Sequence, residues 1–291
     1  MDLANKTREL CNLYGIKPSR SKGQNFLIND QIYDDIIAAS DLQRTDTVLE
    51  IGPGLGFLTE KLATQADKVL AVELDKKLAE VLQTKIIAQK INNVKVWNED
   101  ILQFDLRLLK NQPYKIVANL PYNITSIFLR NFLATEWRPE IMVLMLQKEV
   151  AERIVAVPGQ MSLLAVSIQF YATAEIIMDV KAADFWPVPA VDSAVIKINI
   201  LSPIDWLNKY QKYCPQQLTP PEIKKFFGLV RAGFSAKRKM LKNNLVNALK
   251  IAPDEVEKIL VESGYNSKIR AQELAVADWL ILFAKLKAFV V

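Results

Sequence analysis

The chain has no histidine and only two cysteines, Cys11 and Cys214, among its 291 residues. Without histidine, zinc sites lose a usual ligand, and Cys-His or Ser-His catalysis loses its base. The cysteines have no C-x-x-C spacing, so they read as bland thiols in a reducing compartment, and no resident metal is expected. Long hydrophobic runs are also missing. The most apolar stretch, Leu274 to Val291, is interrupted by Asp278, Lys285 and Lys287. It is too short to span a bilayer and predicts a buried terminal helix, with no membrane partner. The opening MDLANKTREL mixes acids and bases around no apolar core, which predicts no signal peptide, and Asp2 and Glu9 speak against an organelle transit sequence. A cytoplasmic protein is expected.

Apolar residues make up 51% and charged residues 24%, the balance of a soluble globular protein rather than a disordered or membrane chain. The length sits where a single core gives way to two, so a large domain with a small satellite is expected. The net charge of +5 says little, but its distribution is uneven. Between Pro220 and Lys250 stand Lys224, Lys225, Arg231, Lys237, Arg238, Lys239, Lys242 and Lys250 against a single acid, Glu222, so the rest of the chain is slightly acidic. That cluster fits a phosphate-facing patch, and on charge alone it fits a solvated helical face equally well.

From Thr47 to Gln147, strand-like runs (TVLEI, KVLAVEL, NVKVW, KIVANL, IMVLMLQ) alternate with amphipathic stretches such as KKLAEVLQTKIIAQ. Such alternation predicts right-handed crossovers and a mostly parallel sheet covered on both faces. A helix near Leu163 to Tyr171 and strands at Ala174 to Val180 and Ser193 to Ile200 complete an α/β, Rossmann-like sheet of seven strands. SPIDWLNKYQKYCPQQLTPP reads as a connection, and only helical period follows it. The expected division is a catalytic domain over residues 1–200, with 1–46 as an N-terminal arm and helix, and a small all-α basic domain over 201–291. No repeat or low-complexity tract is present.

In VLEIGPGLGFLTEKL a strand meets Gly52, Gly54 and Gly56 and then a helix. Glycines there permit a sharp turn and let a ligand approach the amides of the helix start. The dinucleotide fingerprint G-x-G-x-x-G fails, with Phe57 or Thr59 in its third slot, and there is no Walker lysine; an NAD oxidoreductase is disfavoured on this ground. Instead Glu50 precedes the turn, giving an E-x-G-x-G-x-G form that resembles the first motif of Rossmann-like methyltransferases. Glu73 ends the second strand and Asp100 the third, at the edge where open sheets bind ligands. The first can accept from both ribose hydroxyls and the second from an adenine amine. Singly, each acid is more simply a capping or solvated group; together, in sheet order, they point to a nucleoside. A cationic cofactor such as S-adenosyl-L-methionine suits these carboxylates better than a pyrophosphate.

The fourth strand ends in Asn119-Leu120-Pro121-Tyr122. An aromatic amine is a poor nucleophile because its lone pair is delocalised into the ring. The Asn119 side-chain oxygen and the Leu120 carbonyl, fixed by Pro121, are suited to hold both amine protons out of plane and relocalise that pair. Tyr122 is suited to stack on an extruded base. The bland reading of these four residues is a strand end followed by a turn.

Taken together the motifs resemble the ribosomal RNA small-subunit adenine dimethyltransferase family over nearly the whole chain. Lys22-Gly23-Gln24-Asn25-Phe26-Leu27 resembles its N-terminal motif, in which the positions of Asn25 and Leu27 touch the cofactor. Phe185-Trp186-Pro187-Val188-Pro189-Ala190-Val191-Asp192-Ser193 resembles its F-x-P-x-P-x-V-D-S motif, whose aromatic, here Phe185, faces the target base opposite Tyr122. GLVRAGFSAKRKMLKNNL resembles its basic segment, which implies RNA contacts from Arg231, Lys237, Arg238, Lys239 and Lys242. The resemblance implies methyl transfer from S-adenosyl-L-methionine to the N6 amines of two adjacent adenosines near the 3′ end of small-subunit ribosomal RNA, with the small-subunit precursor as partner. Three alternatives stand beside it: a large-subunit methyltransferase of the antibiotic-resistance type, a non-enzymatic RNA-binding assembly factor, and a DNA adenine methyltransferase suggested by NLPY alone.

Overall fold

The structure is a computed structural model that describes residues 2–19, 24–110, 112–121, 124–236 and 238–290. The chain divides into two compact units, residues 1–151 with 174–200, and residues 152–173 with 201–291. The boundary drawn from sequence at 200/201 is one of the crossings. Residues 152–173, assigned from sequence to the first domain, group with the second unit instead.

Among the described residues the first unit carries nine strands: β1 (Phe26–Leu27), β2 (Thr47–Ile51), β3 (Lys68–Glu73), β4 (Val94–Asn98), β5 (Tyr114–Asn119), β6 (Ile141–Gln147), β7 (Ala172–Val180, which begins in the second unit), β8 (Phe185–Trp186) and β9 (Ser193–Ile200). Seven of them form one sheet in the order β4-β3-β2-β5-β6-β9-β7. The β2/β3, β2/β5, β3/β4 and β5/β6 pairs are parallel and β6/β9 is antiparallel. All five residues of β2 are buried, as a strand covered on both faces requires. Strand order reverses at β2, whose neighbours β3 and β5 lead outward in opposite directions; such a switch point opens a crevice at the carboxyl ends.

The helices of this unit are α1 (Leu3–Leu13), α2 (Asp30–Ala39), α3 (Phe57–Gln65), α4 (Lys76–Ala88) and α5 (Thr125–Ala134), with α6 (Lys148–Ile154) running into the second unit. In α4 the buried set Leu78, Ala79, Val81, Leu82 and Ile86 recurs at helical spacing, and Asp75 caps the start by accepting from the amides of Lys77 and Leu78. One core cluster joins Cys11 of α1, Ile36 of α2, Leu62 of α3, Val48, Val69 and Val117 of the sheet, and Phe185.

The second unit contains α7 (Leu163–Gln169), α8 (Pro203–Tyr210), α9 (Pro220–Gly233), α10 (Leu241–Leu249), α11 (Pro253–Glu262) and α12 (Val276–Leu286). Thr219 and Glu222 form a capping box ahead of α9, with Pro220 in its first turn. Phe170 explains the allegiance of residues 152–173: its ring stacks on Phe226 at 4.9 Å and meets Trp206 edge-on at 5.5 Å.

Candidate active site

A cleft opens at the carboxyl ends of β2, β3 and β5, on the switch point. Of the expected residues, Asn25, Leu27, Glu50, Gly52, Gly54, Glu73, Asn119, Leu120, Pro121 and Phe185 all line it. Tyr122 and Lys237, together with Lys22 and Gly23 of the N-terminal motif, lie outside the described residues.

The turn after β2 is built for bare backbone. Gly56 caps α3 in a left-handed conformation, φ +79°, with no side-chain cap, and a Cβ there would stand 2.4 Å from Cδ1 of Leu82. The Gly54 amide donates to Glu73 Oε2 at 3.0 Å, and the Asp75 amide donates to Oε1 at 2.9 Å. Glu73 therefore clamps the turn to the end of β3. Burial raises its carboxyl above the usual range, and the two amides pull the other way.

Glu50 is the anomaly. It is 1% exposed, and neither carboxylate oxygen has a hydrogen-bond partner. Burial pushes its carboxyl up to about 8; the Thr59 hydroxyl lies near enough to lower that value without meeting a hydrogen-bond geometry. Unpartnered buried carboxylates are costly, and one that lines a cleft is the mark of a ligand site.

On the other wall, the Asn119 amide nitrogen donates to the Asn25 carbonyl over a long 3.5 Å, which leaves the side-chain oxygen as the acceptor. The Leu120 amide donates to the Met145 carbonyl at 3.0 Å and holds the segment to β6. Phe185 is 1% exposed and pairs through β8 with Leu27 of β1, while the Tyr33 hydroxyl donates to the Leu27 carbonyl at 3.1 Å. These contacts draw the N-terminal motif and the F-x-P-x-P motif together at the cleft.

Asp100 does not join them. Strand β4 ends at Asn98, and the Asp100 carboxylate closes a local turn by accepting from the Leu102 amide at 2.9 Å. Asp75 does line the cleft and was not singled out from sequence. Its place between a strand and an amphipathic helix was the available signal. In the second unit Arg231, Arg238 and Lys239 are exposed, whereas Lys242 is held by Glu257 at 2.7 Å. Among the described residues no group of acids and thiols is arranged to hold a metal, and no helix is long and apolar enough to cross a membrane.

A seven-stranded, mostly parallel sheet in which β9 runs antiparallel to β6, with an acid-led glycine turn at its switch point, is the architecture of the Rossmann-like methyltransferases. The model of the family described as "Ribosomal RNA adenine dimethylase" matches residues 16–288. Ribosomal RNA small subunit methyltransferase A of Dehalococcoides mccartyi is 40% identical over 281 residues, covering 95% of this chain and 91% of that protein. The protein of the same name from Lactiplantibacillus plantarum is 37% identical, covering 97% and 95%. The chain belongs to the ribosomal RNA adenine dimethylase family. Among solved structures, a dimethyladenosine transferase from Plasmodium falciparum shares the fold with a TM-score of 0.71 at 24% identity, covering 90% of this chain and 97% of that one. The 23S rRNA methyltransferase ErmE gives 0.70 at 26%, covering 90% and 100%.

Proposed function

We propose that this protein transfers methyl groups from S-adenosyl-L-methionine to the N6 amines of two adjacent adenosines near the 3′ end of small-subunit ribosomal RNA, giving dimethyladenosines during ribosome maturation. One observation carries the reading: the glycine turn, two buried acids, Asn119 to Pro121 and Phe185 converge on a single cleft.

The residues fit the cofactor. The glycine-rich turn lets a nucleoside approach the backbone, and the orphaned Glu50 carboxyl suits one that carries positive charge. When bound, the cofactor supplies an electrophilic methyl on sulfur. Asn25, Leu27, Gly52, Gly54 and Asn119 form its walls. Glu73 keeps a second lone pair on each oxygen for ribose hydroxyls, since each already accepts one amide. Among the described residues Asp100 accepts only the Leu102 amide, on one oxygen, so its other oxygen keeps acceptor capacity for an adenine amine.

The Asn119 oxygen and the Leu120 carbonyl accept the two amine protons of the target and turn its lone pair toward the methyl. By resemblance Tyr122 stacks on the base, while Phe185, 1% exposed and packed in the core, backs the cleft wall without an open ring face. The exposed Arg231, Arg238 and Lys239, with Lys237 and Lys242, hold the RNA backbone and confer salt-dependent affinity rather than sequence choice. A ribosomal RNA substrate in turn supports a cytoplasmic location.

The likeness to ErmE, at 26% identity, favours a second reading, methylation of large-subunit RNA. The higher identity to proteins named for the small subunit weighs against it. Methylation assays on separated subunits with labelled cofactor decide: label in small-subunit RNA is expected, and label confined to large-subunit RNA refutes the substrate assignment.

A further inference from the structure

Glu50 sits where an ionised carboxylate has nothing to balance it. Its cross-strand neighbours are Ala71 on β3 and Val117 on β5, both 0% exposed. The polar groups around it come from six elements, α1 to α4 and the ends of β3 and β5. Thr59 on α3 offers only a hydroxyl outside hydrogen-bond geometry. The Tyr33 hydroxyl on α2 is spent on the Leu27 carbonyl. Glu73 at the end of β3 is a like charge held by two amides. The positive charge of Lys85 on α4 reaches it, but Lys85 is paired with Glu60 at 2.9 Å and donates to the Leu55 carbonyl at 3.1 Å. Lys6 on α1 lies over the Phe57 ring at 5.3 Å from its centroid. Asn119 on the opposite wall is neutral.

We infer that Glu50 stands as a neutral carboxylic acid in the ligand-free protein and ionises when the cationic amino-acid portion of the cofactor enters the cleft, so that binding expels one proton to solvent. The inference rests on the cofactor reading above. In this exchange the O–H bond of Glu50 breaks, the proton leaves to buffer, and the ligand's ammonium or sulfonium charge takes over its role as counter-charge. Burial, with the like charge of Glu73 beside it, outweighs Thr59 and Lys85 and pushes the carboxyl up to about 8, so the acid form dominates at neutral pH until a cation arrives. The consequence is selection by charge: a cationic nucleoside is favoured, increasingly so as pH rises toward 8, whereas a neutral nucleoside gains nothing.

Titration calorimetry near pH 7, repeated in two buffers of different ionisation enthalpy, counts the protons directly. With S-adenosyl-L-methionine, release of about one proton is expected, and affinity rises up to about tenfold per pH unit below 8. With 5′-methylthioadenosine, which keeps the nucleoside but carries no cation, no release and no slope are expected. Glu50→Gln should bind with a flat pH profile. Infrared difference spectra of the wild-type protein read the same event without a variant, because the protonated carboxyl band should vanish when S-adenosyl-L-methionine is added. Binding without proton release, equal release by 5′-methylthioadenosine, or release undiminished in Glu50→Gln overturns this inference alone. No binding of S-adenosyl-L-methionine overturns the cofactor reading, and this inference falls with it.

Discussion

Gly56 couples the cofactor turn to the core beneath it, and Gly56→Ala puts a number on that coupling. The residue sits at φ +79°, ψ 21°, where a Cβ costs about 1–2 kcal/mol. The added carbon would stand 2.4 Å from Leu82 Cδ1, well inside the roughly 3.5–4.0 Å at which carbons rest. Leu82 is 1% exposed and packed with Ala71 and Ile86, so it has no free side toward which to swing. Forcing it aside adds about 1–3 kcal/mol, for a total of about 2–5 kcal/mol. Leu82→Ala alone leaves a cavity and costs about 2–5 kcal/mol. The double variant relieves the overlap but keeps the backbone strain, so it should cost less than the sum of the singles by about 1–3 kcal/mol. Urea unfolding of the four proteins, followed by circular dichroism, measures each quantity. A Gly56→Ala protein within about 0.5 kcal/mol of wild type, or additive singles, would refute the reasoning.

Glu50 makes stability depend on pH in the direction opposite to an ordinary ion-paired acid. Its folded carboxyl lies near 8 against an ordinary 4.5, so the folded chain holds the extra proton across that window and loses stability as pH rises through it. Glu50→Gln should remove a slope on the order of 1.4 kcal/mol per pH unit, read by thermal unfolding between those values; a slope unchanged by the substitution contradicts the burial argument. Lys115 is 6% exposed, pairs with Asp46 at 2.8 Å and donates to the Asp41 carbonyl at 2.6 Å. Lys115→Met should cost on the order of 3 kcal/mol by stranding Asp46, and adding Asp46→Leu should recover part of it in denaturant unfolding; a neutral single variant would sink that assignment. Arg238→Glu with Lys239→Glu should weaken RNA binding and lower the slope of log affinity against log salt by about 0.7–0.9 per lost phosphate contact; filter binding across a salt series would show no change in slope if these residues face away from RNA.

The sheet was largely legible because its signal is local. Runs such as TVLEI and IMVLMLQ become β2 and β6 residue for residue, since buried parallel strands read as near-continuous apolar runs, Glu50 being the exception in β2. Most of the cleft was legible for a related reason: Glu50, Gly52, Gly54, Glu73 and Asn119 all stand at strand ends that topology must gather at one edge. What escaped was set by tertiary packing. The pairing of Phe26 with Trp186 and Leu27 with Phe185 involves two-residue strands far apart in sequence, with no period to read. The move of residues 152–173 to the second unit is decided by the stacking of Phe170 on Phe226, which no linker composition announces. Asp100 has the right place in the sequence but stands two residues past the end of β4, in a local turn outside the cleft lining, a displacement that spacing does not resolve.

Mass spectrometry of small-subunit ribosomal RNA, incubated with this protein and methyl-labelled S-adenosyl-L-methionine, tests the central claim most directly. Two neighbouring adenosines near the 3′ end, each gaining two labelled methyls on N6, is the predicted result, with none gained in the presence of Asn119→Ala. Unlabelled small-subunit RNA, or label on another base or ring position, would contradict it.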